Sequence, residues 1–532
     1  LENFKNTGIT HLIAVSGSNV MYVLIFVQFL FSKICGKRKT YLISIAILII
    51  FMLVSGASSS VIRATIMTIL TILADVFYRK SDTINNLSIS AWILMLINPL
   101  IVYDVGFILS FGGTLGIVLL SKDFQKYLER YHIHSETLAT TCSAQIVLAP
   151  IMAFYFNTFS VIAILTNMIV VPISGFITIL GFLVFMISKI CFPLASILSK
   201  SLYLLAHFTI FISQTFSKIP FATIKVITPN LFEIILFYFV IFYIAGKIKL
   251  PFFKRKLTLK SLSICLCAFC LLEILYYHFP RNYIVVKLVD VGQGDAIYIE
   301  SNYHNNILID GGGSRTYDVG ENILLPYLLD RRVTHIDTIF SSHSDADHLN
   351  GILTVVEQLN VKKVYVAKNA LGYEKLYEIV KKRSTEIIEL ELGDVISIDD
   401  LTFTVLGPVS GLNPKDVNEY SLVLKMQYHE ISMLFTGDMN QEAERNLTNS
   451  KADILKVAHH GSSTSSSQKF LANVNPAIAV ISVGKNNQFG HPSQDVMDRL
   501  LKYAKVYTTA EYGEIQMKIY QDHVRMNKIS QK

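Results

Sequence analysis

The stretch His343-Ser344-Asp345-Ala346-Asp347-His348 sets two imidazoles and two carboxylates in one short turn, directly after the apolar run Ile336-Asp337-Thr338-Ile339-Phe340. Carboxylates crowded this closely repel one another unless a cation gathers them. Imidazole and carboxylate without thiolate suit Zn²⁺, Mn²⁺ or Fe and argue against a structural zinc knuckle. The chemistry to expect from such a set is metal-assisted hydrolysis.

Further polar tips end apolar runs in the same half of the chain. Asp310 closes Asn306-Ile307-Leu308-Ile309 and opens a Gly-rich turn, where it is placed to orient a ligand histidine from behind. Asp438 ends Met433-Leu434-Phe435-Thr436-Gly437. His459-His460-Gly461-Ser462 follows Ile454-Leu455-Lys456-Val457, and His491 follows Ala477-Ile478-Ala479-Val480-Ile481 after a short loop. A single Asp at a strand end commonly caps a turn, and a lone His is commonly surface or core. Five such tips at successive strand ends are hard to explain that way. The Ser462 to Ser467 loop reads equally as a hydroxyl-rich phosphate contact or as plain surface.

The elements that must position these tips are short β-runs alternating with helical segments. Val285 to Val291 and Ala296 to Glu300 read as strands around the turn Gly292-Gln293-Gly294-Asp295, and Asp318 to Arg332 reads as a helix. The alternation continues to the C-terminus and predicts a two-sheet α/β sandwich over 283–532 with its loops gathered at one edge.

Residues 1–282 are different. The chain has 532 residues, 52% of them hydrophobic, which is too apolar for an ordinary soluble protein. That excess sits in the first half, where about ten apolar runs near 12–32, 41–56, 58–77, 88–103, 105–120, 138–158, 160–187, 193–217, 230–246 and 261–279 approach the ~20 residues of a membrane span. The pair 41–56 and 58–77 reads as partly re-entrant. Lys33, Lys37, Arg38 and Lys39; Arg79 and Lys80; Lys122, Lys126 and Arg130; and Lys247 to Lys260 form four basic loops on one side, which the positive-inside rule makes cytoplasmic. The last run then carries the chain out, so the C-terminal half is expected outside the cytoplasm. The net charge of +7 therefore speaks of topology before nucleic acid. All six cysteines (Cys35, Cys142, Cys191, Cys265, Cys267, Cys270) lie in the membrane half, so the other half folds without disulfides on either side. Arg63, within an apolar run, needs a structural ion pair or a wet pore carrying a polyanion. The chain opens on Leu1 and reads as N-terminally incomplete.

Asp310-Gly311-Gly312, the His343 to His348 cluster, Thr436-Gly437-Asp438 and the late His491 resemble the metallo-β-lactamase superfamily pattern, with Asp345 where that pattern has a second His. Val289-Asp290-Val291-Gly292-Gln293-Gly294-Asp295 and Ala458-His459-His460-Gly461-Ser462 narrow the match. In the membrane half Gly8 to Gly17, Ser55-Gly56-Ala57 with Arg63-Ala64, and Asn98-Pro99 with Asp104 to Phe111 resemble a competence domain. Over nearly its whole length the chain resembles ComEC-type DNA-internalisation channels.

That resemblance implies a polytopic helical membrane domain followed by an αββα metallo-β-lactamase-like sandwich. It implies import of one DNA strand in natural transformation and hydrolysis of the other by the C-terminal domain. One metal site would take His343 and Asp345, the second Asp347, His348 and His491, with Asp438 bridging and Asp310 behind them; Arg63 is a candidate for the strand in the pore, with a structural ion pair as its alternative. Asn418-Glu419-Tyr420-Ser421, where the superfamily supplies another His, has none, so His459 is a candidate to complete the first site. One or two divalent ions are implied, and the oxygen-rich set favours Mn²⁺ over Zn²⁺. His459 or His460 would steady the phosphate or protonate the leaving oxygen. No Walker-type loop occurs, so a cytoplasmic ATPase is expected as partner, along with a DNA receptor; self-association is left open. Two alternatives stand beside this reading: a membrane-tethered metallo-phosphoesterase on a non-DNA substrate, and a DNA channel whose soluble domain binds without cutting.

Overall fold

Long apolar runs broken by Gly, Pro and basic residues become helices in the first of two units, Leu1–Pro251; the second is Phe252–Lys532. The computed structural model describes residues 2–13, 15–247, 279–409 and 415–528, with 267, 271 and 412. The apolar run 261–279 and the basic residues from Lys249 to Lys260 lie outside the described residues, apart from scattered positions. The contact division thus falls near 251, earlier than the expected boundary at 282.

Unit one comprises α1 (Glu2–Asn6), α2 (Gly17–Val54), α3 (Ser59–Val76), α4 (Thr83–Ile97), α5 (Val105–Glu129), α6 (Glu136–Phe156), α7 (Ala163–Ser188), α8 (Phe192–Phe216) and α9 (Leu231–Ile244). Among the described residues five helices, α3 and α5 to α8, are long and apolar enough to cross a membrane. The expected runs 12–32 and 41–56 join in α2, but Gly36 breaks it with φ 71° and ψ 162°. Ile25, Gln28, Thr40 and Tyr41 line one cavity, so the two arms of α2 fold back on each other with Lys33 to Lys39 at the tip. Two expected spans come out short. α4 has 15 residues and stops before Asn98-Pro99, because the residue before a proline disfavours helical backbone; α9 has 14. A small antiparallel pair, β1 (Thr158–Ser160) with β2 (Thr223–Lys225), follows α6 and α8; the sequence pattern did not show it.

Unit two is a sandwich of two sheets. The eight-stranded sheet runs β17-β16-β3-β4-β5-β6-β7-β8, with β3 (Tyr283–Leu288), β4 (Ile297–Glu300), β5 (Asn306–Ile309), β6 (His335–Phe340), β7 (Asn360–Ala367), β8 (Glu386–Leu390), β16 (Ile515–Tyr520) and β17 (Val524–Lys528). The seven-stranded sheet runs β15-β14-β13-β12-β11-β10-β9, with β9 (Val395–Ile398), β10 (Leu401–Gly407), β11 (Val423–Tyr428), β12 (Ile431–Phe435), β13 (Ile454–Lys456), β14 (Ile478–Ile481) and β15 (Lys505–Thr508). Inner faces meet through Val286, Ile299, Phe340, Phe403, Met433 and Ile454, all buried. Leu434, Leu455 and Ala479 on the other face of the second sheet pack under the helices Gln468–Val474 and Gln494–Leu500. The expected helix from Asp318 to Arg332 is a π-type turn, Gly320–Leu324, leading into Leu325–Asp330.

Strands β5 to β8 are mutually parallel, as are β12 to β15. Their C-terminal ends therefore point to one edge in each sheet, where open α/β sheets bind ligands. Asp310 follows β5, the His343 cluster follows β6, Asp438 follows β12 and His459-His460 follows β13.

Candidate metal centre

The turn after β6 enters the helix Ala346–Gln358 with Asp345 at the N-cap. An N-cap Asp ordinarily accepts from the first turn, yet this carboxylate makes no capping bond. It lies instead 3.8 Å from His343 Nε2. Asp347 and His348 occupy the first helical turn, whose positive end favours carboxylate. The helix comes so close to the Gly-rich turn after β5 that a Cβ at Gly351 would overlap the Gly311 carbonyl, and one at Gly313 the Ala346 carbonyl.

Asp310 has left-handed backbone, φ 58°. Its carboxylate accepts from His348 Nδ1 at 3.0 Å, from Ser342 Oγ at 2.7 Å and from the Ser342 amide at 2.7 Å. Ser342 Oγ in turn accepts from His343 Nδ1 at 2.9 Å. On the second sheet His460 Nδ1 donates to the Ser482 carbonyl at 2.9 Å. In each imidazole the Nδ1 proton is thereby engaged, so the network assigns the lone pair to Nε2. Those three atoms, Nε2 of His343, His348 and His460, are buried and have no hydrogen-bond partner, and the same holds for Asp438 Oδ1.

They converge. His348 Nε2 lies 3.3 Å from Asp438 Oδ1, and His460 Nε2 lies 3.5 Å from both Asp438 Oδ2 and Asp347 Oδ2. Ligand atoms around one cation at ~2.1 Å sit roughly 3–3.5 Å apart, so the spacing is that of a coordination shell. Three metal-sized groups among the described residues share His348, namely His343-His348-Asp438, Asp347-His348-His460 and Asp295-Asp310-His348, and a fourth joins Asp295, Asp438 and His460.

The electrostatics agree. Burial, and then the charge of His348, hold the His343 imidazole neutral, with a pKa of about 3. Burial alone would raise the Asp347 carboxyl, but the neighbouring His460 and His348 imidazoles bring it to about 2. Asp438 is likewise pulled well below the carboxylate range, against its burial, by His348 and His460. Burial opposes charge on His348 and His460, yet Asp438 raises both. Buried carboxylates here draw in positive charge, which a divalent cation supplies. The donor set fits one.

Six of the sequence-predicted residues gather at this centre: His343, Asp347, His348, Asp438, His460 and, behind them, Asp310. Asp345 lies at its rim, with its side chain 48% exposed. The third partner of Asp347 and His348 is His460 and not His491, because His459 and His460 both take left-handed backbone (φ 49° and 53°) that swings the His460 ring inward. His459 stays at the mouth, its Nε2 3.8 Å from Asp438 Oδ2. His491 packs edge-on against His459, ring centroids 5.8 Å apart. The Ser462 to Ser467 loop is mainly a brace: Ser465 Oγ donates to the Ala458 carbonyl, and the Ser466 and Ser467 amides donate to Glu444. Sequence reasoning missed Asp295 and Lys456. Their fully buried ion pair links the loop before β4 to β13, with Asp295 Oδ1 3.5 Å from His460 Nδ1. A lysine inside the apolar run Ile454 to Val457 was the available signal.

In unit one Arg63 is buried on α3 and donates to the Ser110 carbonyl and the Thr114 hydroxyl on α5. Among the described residues it has no carboxylate partner, and its Nε makes no hydrogen bond. Asp104 serves as the N-cap of α5.

Comparison with known proteins matches both halves. The competence-protein family model matches residues 1–251, and the metallo-β-lactamase superfamily model matches 289–485. The chain joins a competence domain to a metallo-β-lactamase domain. It is homologous to ComE operon protein 3 of Bacillus subtilis, with 26% identity over 97% of this chain and 68% of that protein. Recombination protein 2 of Haemophilus influenzae is 30% identical over 51% of this chain, and competence protein ComA of Neisseria gonorrhoeae 28% over 47%; the chain spans 34% of each. Among solved structures the metallo-β-lactamase fold protein YhfI from Bacillus subtilis aligns at 13% identity over 46% of this chain and all of that one, TM-score 0.31. Residues 1–251 are thus similar to competence proteins and, with five membrane-length helices, read as a multi-pass membrane unit, while residues 289–485 carry the metallo-β-lactamase match.

Proposed function

We propose that the membrane unit passes a single DNA strand and that the second unit hydrolyses phosphodiester bonds of the strand left outside. The observation that carries the hydrolytic half is the buried convergence of three unpartnered Nε2 atoms on the Asp438 carboxylate. Asp347, His348, His460 and Asp438 would hold one divalent ion; His343, Asp345 and Asp438 would hold a second. When bound, such ions polarise a phosphoryl oxygen and lower the pKa of water. The set counts three carboxylates to three imidazoles and no thiolate, which favours Mn²⁺ over Zn²⁺. His459, at the mouth, is positioned to protonate the leaving oxygen.

Support for the import half is the competence match together with Arg63. Its guanidinium faces a cavity of about 290 Å³ whose polar lining also includes Gln28, Thr68, Thr71, Thr114 and, without an ion pair to Arg63, Asp75. A buried cation without a carboxylate partner suits a passing phosphate. A DNA receptor and a cytoplasmic ATPase would deliver and pull the strand.

The test is Mn²⁺-dependent cleavage of single-stranded DNA by the full chain in detergent. Asp347→Ala and Asp438→Ala should each reduce it by at least a hundredfold. Cleavage unaffected by both substitutions would reject the centre as the nuclease, and Arg63→Gln tests import separately through uptake of labelled DNA.

A further inference from the structure

We propose that Phe489 is a stacking platform for a base next to the scissile phosphate, which makes the centre selective for single-stranded nucleic acid with little regard to sequence. The inference rests on the nuclease reading above and deepens it. Phe489 is 59% exposed, in the loop between β14 and the helix Gln494–Leu500. A scattered exposed apolar ring is ordinary and proves nothing alone. This ring is built in. It stacks on His491 with centroids 5.9 Å apart and planes at 26°. His491 packs edge-on against His459 at 5.8 Å, and His459 reaches Asp438. Three rings thus run in series from solvent to the metal centre.

The loop that presents them is pinned from one side chain. Asn487 Oδ1 accepts from the amides of Phe489 and His491, both at 3.1 Å, while its Nδ2 donates to the carbonyls of His491 at 2.6 Å and Gly484 at 3.0 Å. A loop backbone held this firmly loses little freedom when a base lands on the ring it presents. His491 Nδ1, beside the ring, is buried and makes no hydrogen bond in the protein. Base stacking on an aromatic ring is worth about tenfold or more in affinity, and every base offers a face. Bases in a duplex already stack on their neighbours, so the platform favours a single strand.

The experiment compares KM for Mn²⁺-dependent cleavage of oligo-dT with KM for an abasic oligomer of equal length, using the full chain in detergent. Wild type should favour oligo-dT by about tenfold. Phe489→Ala should bring the ratio to within about twofold, and Phe489→Trp should keep it. An unchanged ratio in Phe489→Ala overturns the proposal. A second readout does not need cleavage: a 5-iodouracil oligonucleotide, irradiated with the full chain in Ca²⁺, should crosslink to the peptide containing Phe489. No crosslink there also overturns the proposal. Failure of wild type to cut either oligomer, with the crosslink present, rejects the nuclease reading alone.

Discussion

Asp310 shows how much of the centre hangs on one side chain that is no ligand. Its carboxylate fixes His348 directly and His343 through Ser342, so both imidazoles present Nε2 inward. Left-handed backbone places it there, a conformation that Asn tolerates nearly as well as Asp. Asp310→Asn should therefore keep the fold while removing the negative charge that strengthens the imidazoles as donors. We expect Mn²⁺ affinity to fall roughly 10–100-fold, measured by electron paramagnetic resonance titration. Affinity equal to wild type would show that the two histidines orient themselves without it. The same residue illustrates what the sequence made legible. Asp310, His343 and Asp438 each lie at or just past the end of an apolar run, so their placement follows from alternation alone. The choice of His460 over His491 does not, because it depends on two consecutive left-handed residues that no pattern of burial encodes.

At the scale of elements, the buried pair Lys456–Asp295 joins the two sheets beneath the histidines. The two residues are 161 positions apart, one in the loop before β4 and the other on β13, so spacing could not reveal them. Both side chains are almost wholly inaccessible. Removing one partner leaves an uncompensated charge in the interior, which typically costs about 3–5 kcal/mol, whereas removing both is far milder. Lys456→Met should thus speed hydrogen exchange across β12 to β14, and adding Asp295→Asn should restore much of the protection. Equal exchange in Lys456→Met and wild type would mean that the pair contributes nothing to joining the sheets. The strands were readable because apolar runs bounded by Gly and polar tips are strong local signals. The run expected at 88–103 lies shifted from α4, Thr83–Ile97, and that at 230–246 overruns α9, because hydropathy extends past the residues where proline and capping stop a helix.

For the whole molecule the decisive question is which side of the membrane the hydrolytic unit occupies. Lys33, Lys37, Arg38 and Lys39 fall at the tip of the folded-back α2, so they form one basic loop, as the charge argument requires. Arg79 and Lys80 follow α3, and Lys122 and Lys126 end α5 with Arg130 just beyond. Loops rich in Lys and Arg stay in the cytoplasm, so with the apolar run 261–279 counted as one more span the charge argument predicts that residues 283–532 lie outside. Residues 283–532 hold no cysteine, so a single one can be introduced there against a background with the six native cysteines replaced. Lys451→Cys on an exposed turn of unit two should react with a membrane-impermeant thiol reagent in intact cells, while Arg38→Cys should react only after permeabilisation. The reverse pattern would put the hydrolytic centre in the cytoplasm. There it would meet the imported strand and not the one left behind, and degradation of the non-imported strand would need another enzyme.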